Sequence, residues 1–377
     1  MLFMRILIAI DDYFNQSNGM CISTQRFVKE FKKMGHDIRI ISRSINGTPD
    51  YAMPRLSVSF LNKLIQKEGF HLAWPIKNEI KKAVSWSDLV LIETPFPLCW
   101  SVSRIAHHQH KPIIGTFHIY PKNMTASIPL FNNRFWNWIF MLAFRQIAFK
   151  KCDALQCPTP KVKNWLQKHH FKQMLYVNSN GIAKKFIDNP HKTEVGHPFT
   201  ILCIGRFSHE KRQETLFKAL KLSKYQDQFQ VVLAGQGPLK AKYQKLNQEL
   251  TNPVKMRFYS QQDLLKLMQK SDLVIHCADV EIEGMSCMEA FSAGLVPIIA
   301  DGPLSSTASY ALTKYNKFPV LDSQDLAQKI DYWVTHPQQL KENSRQYRKF
   351  AKKLTVKKSA ECAIKMMEKL SKAKRTH

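Results

Sequence analysis

The sequence is short of acid. Its 377 residues hold 29 Asp and Glu against 56 Lys and Arg, a formal charge of +27 with a pI near 9.8. Such a surplus predicts an anionic partner: nucleic acid, an acidic membrane surface or a phosphorylated ligand. Paired cysteines are missing too. Eight Cys are scattered, mostly inside apolar runs, with no C-x-x-C spacing. That disfavours a zinc site and predicts reduced core thiols in a cytoplasmic protein. No window approaches about 18 uninterrupted apolar residues, so no transmembrane helix is expected. The opening MLFMRILIAIDD has no basic stretch before its apolar run and no cleavage site after it, which predicts no secretory leader. An RNP motif, a zinc finger and a helix-turn-helix are all absent, which weighs against nucleic acid.

What remains suits a globular chain of two domains, or three, with 44% hydrophobic and 11% aromatic residues. Short apolar runs alternate with longer amphipathic ones. RILIAI (5–10), DIRIIS (37–42), DLVLIE (88–93), KPIIGTFH (111–118) and DALQCP (153–158) read as buried strands. A helical pattern from Thr24 to Met34 is stopped by Gly35. The alternation then repeats with FTILCIG (199–205), FQVVLAG (229–235), VKMRFY (254–259), DLVIHC (272–277) and LVPIIA (295–300). Two such sets predict two doubly wound parallel-sheet α/β domains. The boundary is expected near SNGI (179–182), giving domains 1–178 and 179–354, with 183–197 as linker or surface loop. A basic helical run closes the chain, and its part 355–377 is expected to pack back on the first domain.

Five places offer chemistry. IGRFSHEKR (204–212) follows a strand, and Gly205, Arg206 and Lys211 in a loop entering a helix suit a diphosphate. A solvated loop fits the same residues. AGQGP (234–238) ends the next strand; its glycines admit a ligand or make a turn. Glu281 and Glu289 flank the end of a later strand, where carboxylates accept hydrogen bonds from sugar hydroxyls. Ser286 and Glu289 have capping-box spacing, so a cap is the competing reading. His118 ends a strand at the sheet edge where open α/β sheets bind ligands. Asn18 and Gly19, after the first strand, could form a backbone nest for an anion. No Asp-x-Asp pair stands ready to hold a metal beside a diphosphate.

Together these residues resemble the family 4 retaining glycosyltransferases of the GT-B fold, over nearly the whole chain. The resemblance rests on Glu281 and Glu289-Ala290 with Gly294-Leu295-Val296-Pro297, on Gly205-Arg206 with Glu210-Lys211, on Asn180-Gly181-Ile182 and on the loop near Gly19. It implies two Rossmann-like domains facing a central cleft. It implies Arg206 and Lys211 on the donor diphosphate, Glu289 on the ribose, and Glu281 on the transferred sugar. Backbone amides of Gly284, Met285 and Ser286 would assist, His118 would touch the sugar, and Gly19 would let its loop approach the phosphates. It also implies front-face transfer without a metal or other cofactor.

TPFPL (94–98), GTFHIYPKNMT (115–125) and the second acid Glu283 resemble the bacterial diacylglycerol glucosyltransferase branch. Lys122, where an acid is expected, and Asp301-Gly302-Pro303 depart from it. The expected donor is UDP-glucose. The expected acceptor is a membrane lipid, met at the inner face of the membrane by a peripheral enzyme. Extension of a polyprenyl-linked glycan is the alternative, with nucleic-acid binding and an epimerase behind it. The aromatic segment 131–149 could lie in the membrane interface, but its nearly all-round apolar character favours a buried helix.

Overall fold

The computed structural model describes residues 2–16, 18–45, 47–56, 71–126, 131–188 and 198–375. Of the expected linker 183–197, residues 189–197 lie outside them, and Lys184–Ile187 form a short helix. Two compact units emerge. One comprises Met1–Pro121, Ile128–Gly181 and Val356–His377; the other comprises Lys122–Ser127 and Ile182–Thr355.

The first unit carries β1 (Arg5–Ala9), β2 (Asp37–Arg43), β3 (Tyr51–Met53), β4 (Leu89–Ile92), β5 (Ile113–Thr116), β6 (Ala154–Cys157) and β7 (Met174–Val177). They form one parallel sheet in the order β3-β2-β1-β4-β5-β6-β7. β4, β5 and β6 are buried at every residue, which is why they are largely apolar, with only Thr116 and Gln156 polar. Strand order reverses between β1 and β4, so the loops after β1, β4 and β5 gather at the switch point where such sheets bind ligands.

One face of this sheet is covered by the helices Gly19–Lys33 and Val356–Arg375. Phe27, Phe31, Ile364 and Met367 pack there on Ile6 and Ile8. Lys374 fixes the last helix by pairing with Asp153 at 2.9 Å and donating to the Lys111 carbonyl. The helix expected from Thr24 already begins at Gly19, because Asn18 caps it by accepting the Met20 amide. It ends as expected, with Gly35 at φ +86° following Met34.

The second unit adds β8 (Phe199–Ile204), β9 (Phe229–Ala234), β10 (Lys255–Arg257), β11 (Leu273–His276), β12 (Val280–Glu281), β13 (Val296–Asp301), β14 (Leu304–Ser305) and β15 (Lys317–Pro319). Its main sheet runs β10-β9-β8-β11-β13-β15, the same order with the same switch point, here between β8 and β11. Phe217, Phe229, Leu273, Ile298 and Trp333 belong to one of its cores. β12 and β14 form a separate parallel pair.

The aromatic segment departs from its expected burial. In the helix Arg134–Ala143 only Met141 is buried, while Phe135 and Trp138 are 61% and 54% exposed. A π-helical turn over Phe144–Ala148 then brings Phe144 and Phe149 inward against Phe117. The core thus takes the end of the segment and leaves its beginning outside. Seven cysteines are buried as free thiols, whereas Cys362 is exposed.

Asp11, just after β1, is fully buried. Burial pushes its carboxyl up to about 6, partly opposed by hydrogen bonds from the Ala73 amide and the Thr94 hydroxyl. Because the folded value lies above the ordinary 3.8, this group favours folding below pH 4 and loses that contribution as pH rises through 6. Asp11→Asn is therefore expected to flatten the fall in melting temperature between pH 4 and 6. Above that range it should gain up to about 3 kcal/mol over the parent. Parallel pH curves for the two proteins would contradict the assignment.

Candidate functional site

In the second unit three loops meet at the carboxyl edge of the sheet. The first leaves β8 at Gly205. Buried Gln213 donates to the Arg206 carbonyl at 2.8 Å and is itself held by the Tyr243 hydroxyl at 2.9 Å. A short 3-10 turn, His209–Lys211, follows. Arg212 then adopts a left-handed φ of +49°, with its guanidinium 2.9 Å from Asp279. The Asp279 amide donates to the Glu210 carbonyl, so the first loop is fastened to the third by side chain and backbone.

The second loop explains its own glycines. A Cβ on Gly235 would lie 1.9 Å from the Gly205 carbonyl oxygen. Gly235 is thus more than a turn residue. It lets one loop backbone press on another.

The third loop carries the acids. β12 sets Glu281 opposite Ser305 of β14. The Lys211 ammonium donates to Glu281 Oε2, and His276 Nε2 stands 3.5 Å from the same oxygen. Burial opposes ionisation of Glu281, yet Lys211 and His276 outweigh it and hold the carboxyl well below the usual range. Burial likewise works to lower the Lys211 value, and Glu281 more than offsets it, so this ammonium stays charged. Gly284 opens the helix Met285–Ser292 at φ +76°, where a Cβ would lie 2.4 Å from Thr307 Oγ1. The Tyr310 hydroxyl anchors buried Glu283 at 2.7 Å. Lys211, held by Glu281, is thus joined through β12 to the loop that opens this helix, and a cation together with a helix N-terminus is a combination that suits an anion.

Glu289 sits within that helix, largely buried. The capping-box reading fails: Gly284 occupies the cap position without a side-chain bond, which makes Cys287 the third helical residue instead of Glu289.

Residues 17–185 match the model for Glycosyltransferase Family 4, and residues 185–354 match that for Glycosyl transferases group 1. The chain is a family 4-like GT-B glycosyltransferase. No curated protein sequence matches it. Among solved structures, HepE of Anabaena in complex with UDP-glucose is similar at a TM-score of 0.73 and 14% identity, over 97% of this chain and 100% of that one. A glycosyltransferase from Rickettsia africae gives 0.71 and 16%, over 98% and 99%. The catalytic domain of a cholesterol-alpha-glucosyltransferase from Helicobacter pylori is 37% identical, over 42% of this chain and 99% of that domain, at a TM-score of 0.41.

In the first unit of the glycosyltransferase, His118 follows β5 and its side chain is almost wholly buried. Its Nε2 lies 2.7 Å from Glu93 Oε2, at the end of neighbouring β4. Gly19 is the first residue of its helix, and a Cβ there would meet nothing within 4 Å. No packing contact therefore demands a glycine at that position.

The structure brings Lys211 and Glu281 into direct contact, where the sequence had given them separate ligands. It adds Gln213, Asp279, His276 and Glu93, which sequence reasoning missed. His276 and Glu93 carried a legible signal, since each closes an apolar strand at the sheet edge just as His118 does. Among the described residues no group of three or more His, Cys, Asp or Glu is placed to hold a metal.

Proposed function

We propose that this enzyme transfers glucose from UDP-glucose to a membrane lipid, with retention of anomeric configuration, at an anionic membrane surface. The donor reading is supported by the cations Arg206 and Lys211 on the loop after β8, with Lys211 bonded to Glu281 shortly before the helix that Gly284 opens. It gains from the fold likeness to HepE, whose structure holds UDP-glucose. Arg206 and Lys211 neutralise the diphosphate. Glu289 takes the ribose hydroxyls, Glu281 a sugar hydroxyl, and Gly19 leaves room at its helix start for phosphate. His118 hydrogen-bonds a substrate hydroxyl. In the transfer, the acceptor oxygen bonds to the anomeric carbon as the bond from that carbon to the diphosphate breaks. The bonding pair stays with UDP, and the acceptor proton passes to the departing phosphate oxygen.

One observation carries the lipid side. Residues 94–152 contain no Asp or Glu and seven Lys or Arg, and within them the exposed Phe135 and Trp138 stand on a capped helix. Exposed aromatic side chains on a stretch of chain with cations and no acid suit the headgroup region of an anionic leaflet. No described helix is long and apolar enough to cross a membrane.

The test incubates the protein with UDP-glucose and total lipid extract and identifies the product by mass spectrometry. A hexosylated lipid plus UDP is expected. A hexosylated polyprenyl-linked glycan would move the acceptor to the alternative class, and an isomerised nucleotide sugar would defeat transfer. Separately, binding to phosphatidylglycerol vesicles should exceed binding to phosphatidylcholine and weaken with salt. Trp138→Ser should reduce it at unchanged melting temperature. Equal binding to both lipids would remove the electrostatic part.

A further inference from the structure

Glu93 is a carboxylate in an unusual place. It follows β4 immediately, its amide donates to the Ala9 carbonyl, and it is only 6% exposed. β5 lies beside β4 with Ile92 opposite Gly115, so the residues that follow the two strands are neighbours. His118, two residues past β5, turns its ring onto Glu93 at 2.7 Å. Both side chains border a small chamber of about 20 Å³ with Ser23, Thr116, Gln156 and Asn180. Among the described residues, Glu93 and His118 are the only titratable groups on its wall.

An ionised carboxylate only accepts hydrogen bonds, so the proton between the two must sit on His118 Nε2. This holds whether the ring is neutral or charged. It leaves Nδ1, which has no hydrogen-bond partner among the described residues, as the ring atom available to a ligand. The arrangement matches the way a carboxylate behind a histidine selects tautomer and ring orientation. Replacing such a supporting group commonly weakens function by roughly 10- to 100-fold.

We propose that Glu93 is the positioning residue of His118: by taking the Nε2–H, it fixes the ring and presents Nδ1 to a substrate hydroxyl. This rests on the reading of His118 as a substrate contact. Glu93 itself touches no reacting atom. Its contribution is realised through the imidazole.

The experiment compares Glu93→Ala, Glu93→Gln, His118→Ala and the double Glu93→Ala/His118→Ala, with UDP-glucose and lipid extract as substrates. It adds nitrogen NMR of the His118 ring in the free proteins. Glu93→Ala should lower kcat by about 10- to 100-fold. Glu93→Gln, whose amide oxygen still accepts the Nε2–H, should recover most of that loss. The double variant should be no worse than His118→Ala alone. The ring signals should report a protonated Nε2 in the parent and in Glu93→Gln, and a mixture of tautomers in Glu93→Ala. Unchanged ring signals in Glu93→Ala, or losses that multiply in the double variant, would overturn the proposal. Full activity in His118→Ala would instead remove the substrate role of His118, while the ring signals still decide what Glu93 does to it.

Discussion

Lys211→Ala is expected to lower turnover of UDP-glucose by about two to three orders of magnitude, the loss typical when one preorganised donor to developing charge is removed. The leaving UDP gains negative charge as the sugar departs. On the proposed function, an ammonium already held in place by Glu281 would meet that charge without reorganising. The same pair makes a second, independent prediction. The carboxyl of Glu281 is depressed below its ordinary 4.5, so the pair contributes stability above that pH and loses it only as pH falls towards the lower folded value. Lys211→Ala should therefore melt below the parent above pH 5, and the gap should narrow as pH drops below 4.5. Unaltered turnover in the folded variant would remove Lys211 from the diphosphate. A melting deficit independent of pH would remove the ion pair as its source.

Gly235→Ala is expected to be the most damaging single-methyl addition in the second unit. Its Cβ would be 1.9 Å from the Gly205 carbonyl oxygen, well inside contact distance, and the obstacle is backbone that cannot rotate away. One loop must move, at a cost of about 1–3 kcal/mol by the usual measure of overpacking. Moving the Gly205 loop displaces Arg206 and Lys211, so melting temperature and UDP-glucose turnover should fall together. Gly19→Ala supplies the contrast. A Cβ there meets nothing, and alanine suits a first helical turn, so stability should hold. If that glycine admits donor phosphate, activity alone should drop. Wild-type stability in Gly235→Ala would show that the two loops are not in register as described.

The strands were the most legible part of the chain. All ten runs contain strands, most of them largely apolar because a parallel strand covered on both faces holds few polar side chains; β10, with Lys255 and Arg257 exposed, is the exception. β3, β7 and β15 escaped notice for the opposite reason. They are short strands at or near the sheet edges, and β7 has no buried residue to leave a pattern. The segment 131–149 is buried only in part, because an apolar circumference does not say whether a core is waiting for it. Its end found Phe117, and its beginning found none.

The candidate site divides along the same line. Gly205, Arg206, Lys211, Glu281 and Glu289 could be picked only through the family resemblance, since locally they suit a solvated loop or a helix cap as well. Their partnerships could not. Lys211 and Glu281 are 70 residues apart, and Glu93 and His118 are 25 apart. Each pair meets only because strand order places their loops side by side. The sequence by itself determined two parallel sheets, a basic surface and the loops that carry the chemistry, since burial and turn formation act within short stretches. Tertiary structure alone decided which charges neutralise one another, which glycine faces another loop's backbone, and which aromatics stay outside. These depend on how elements distant in sequence pack, and no local pattern records that.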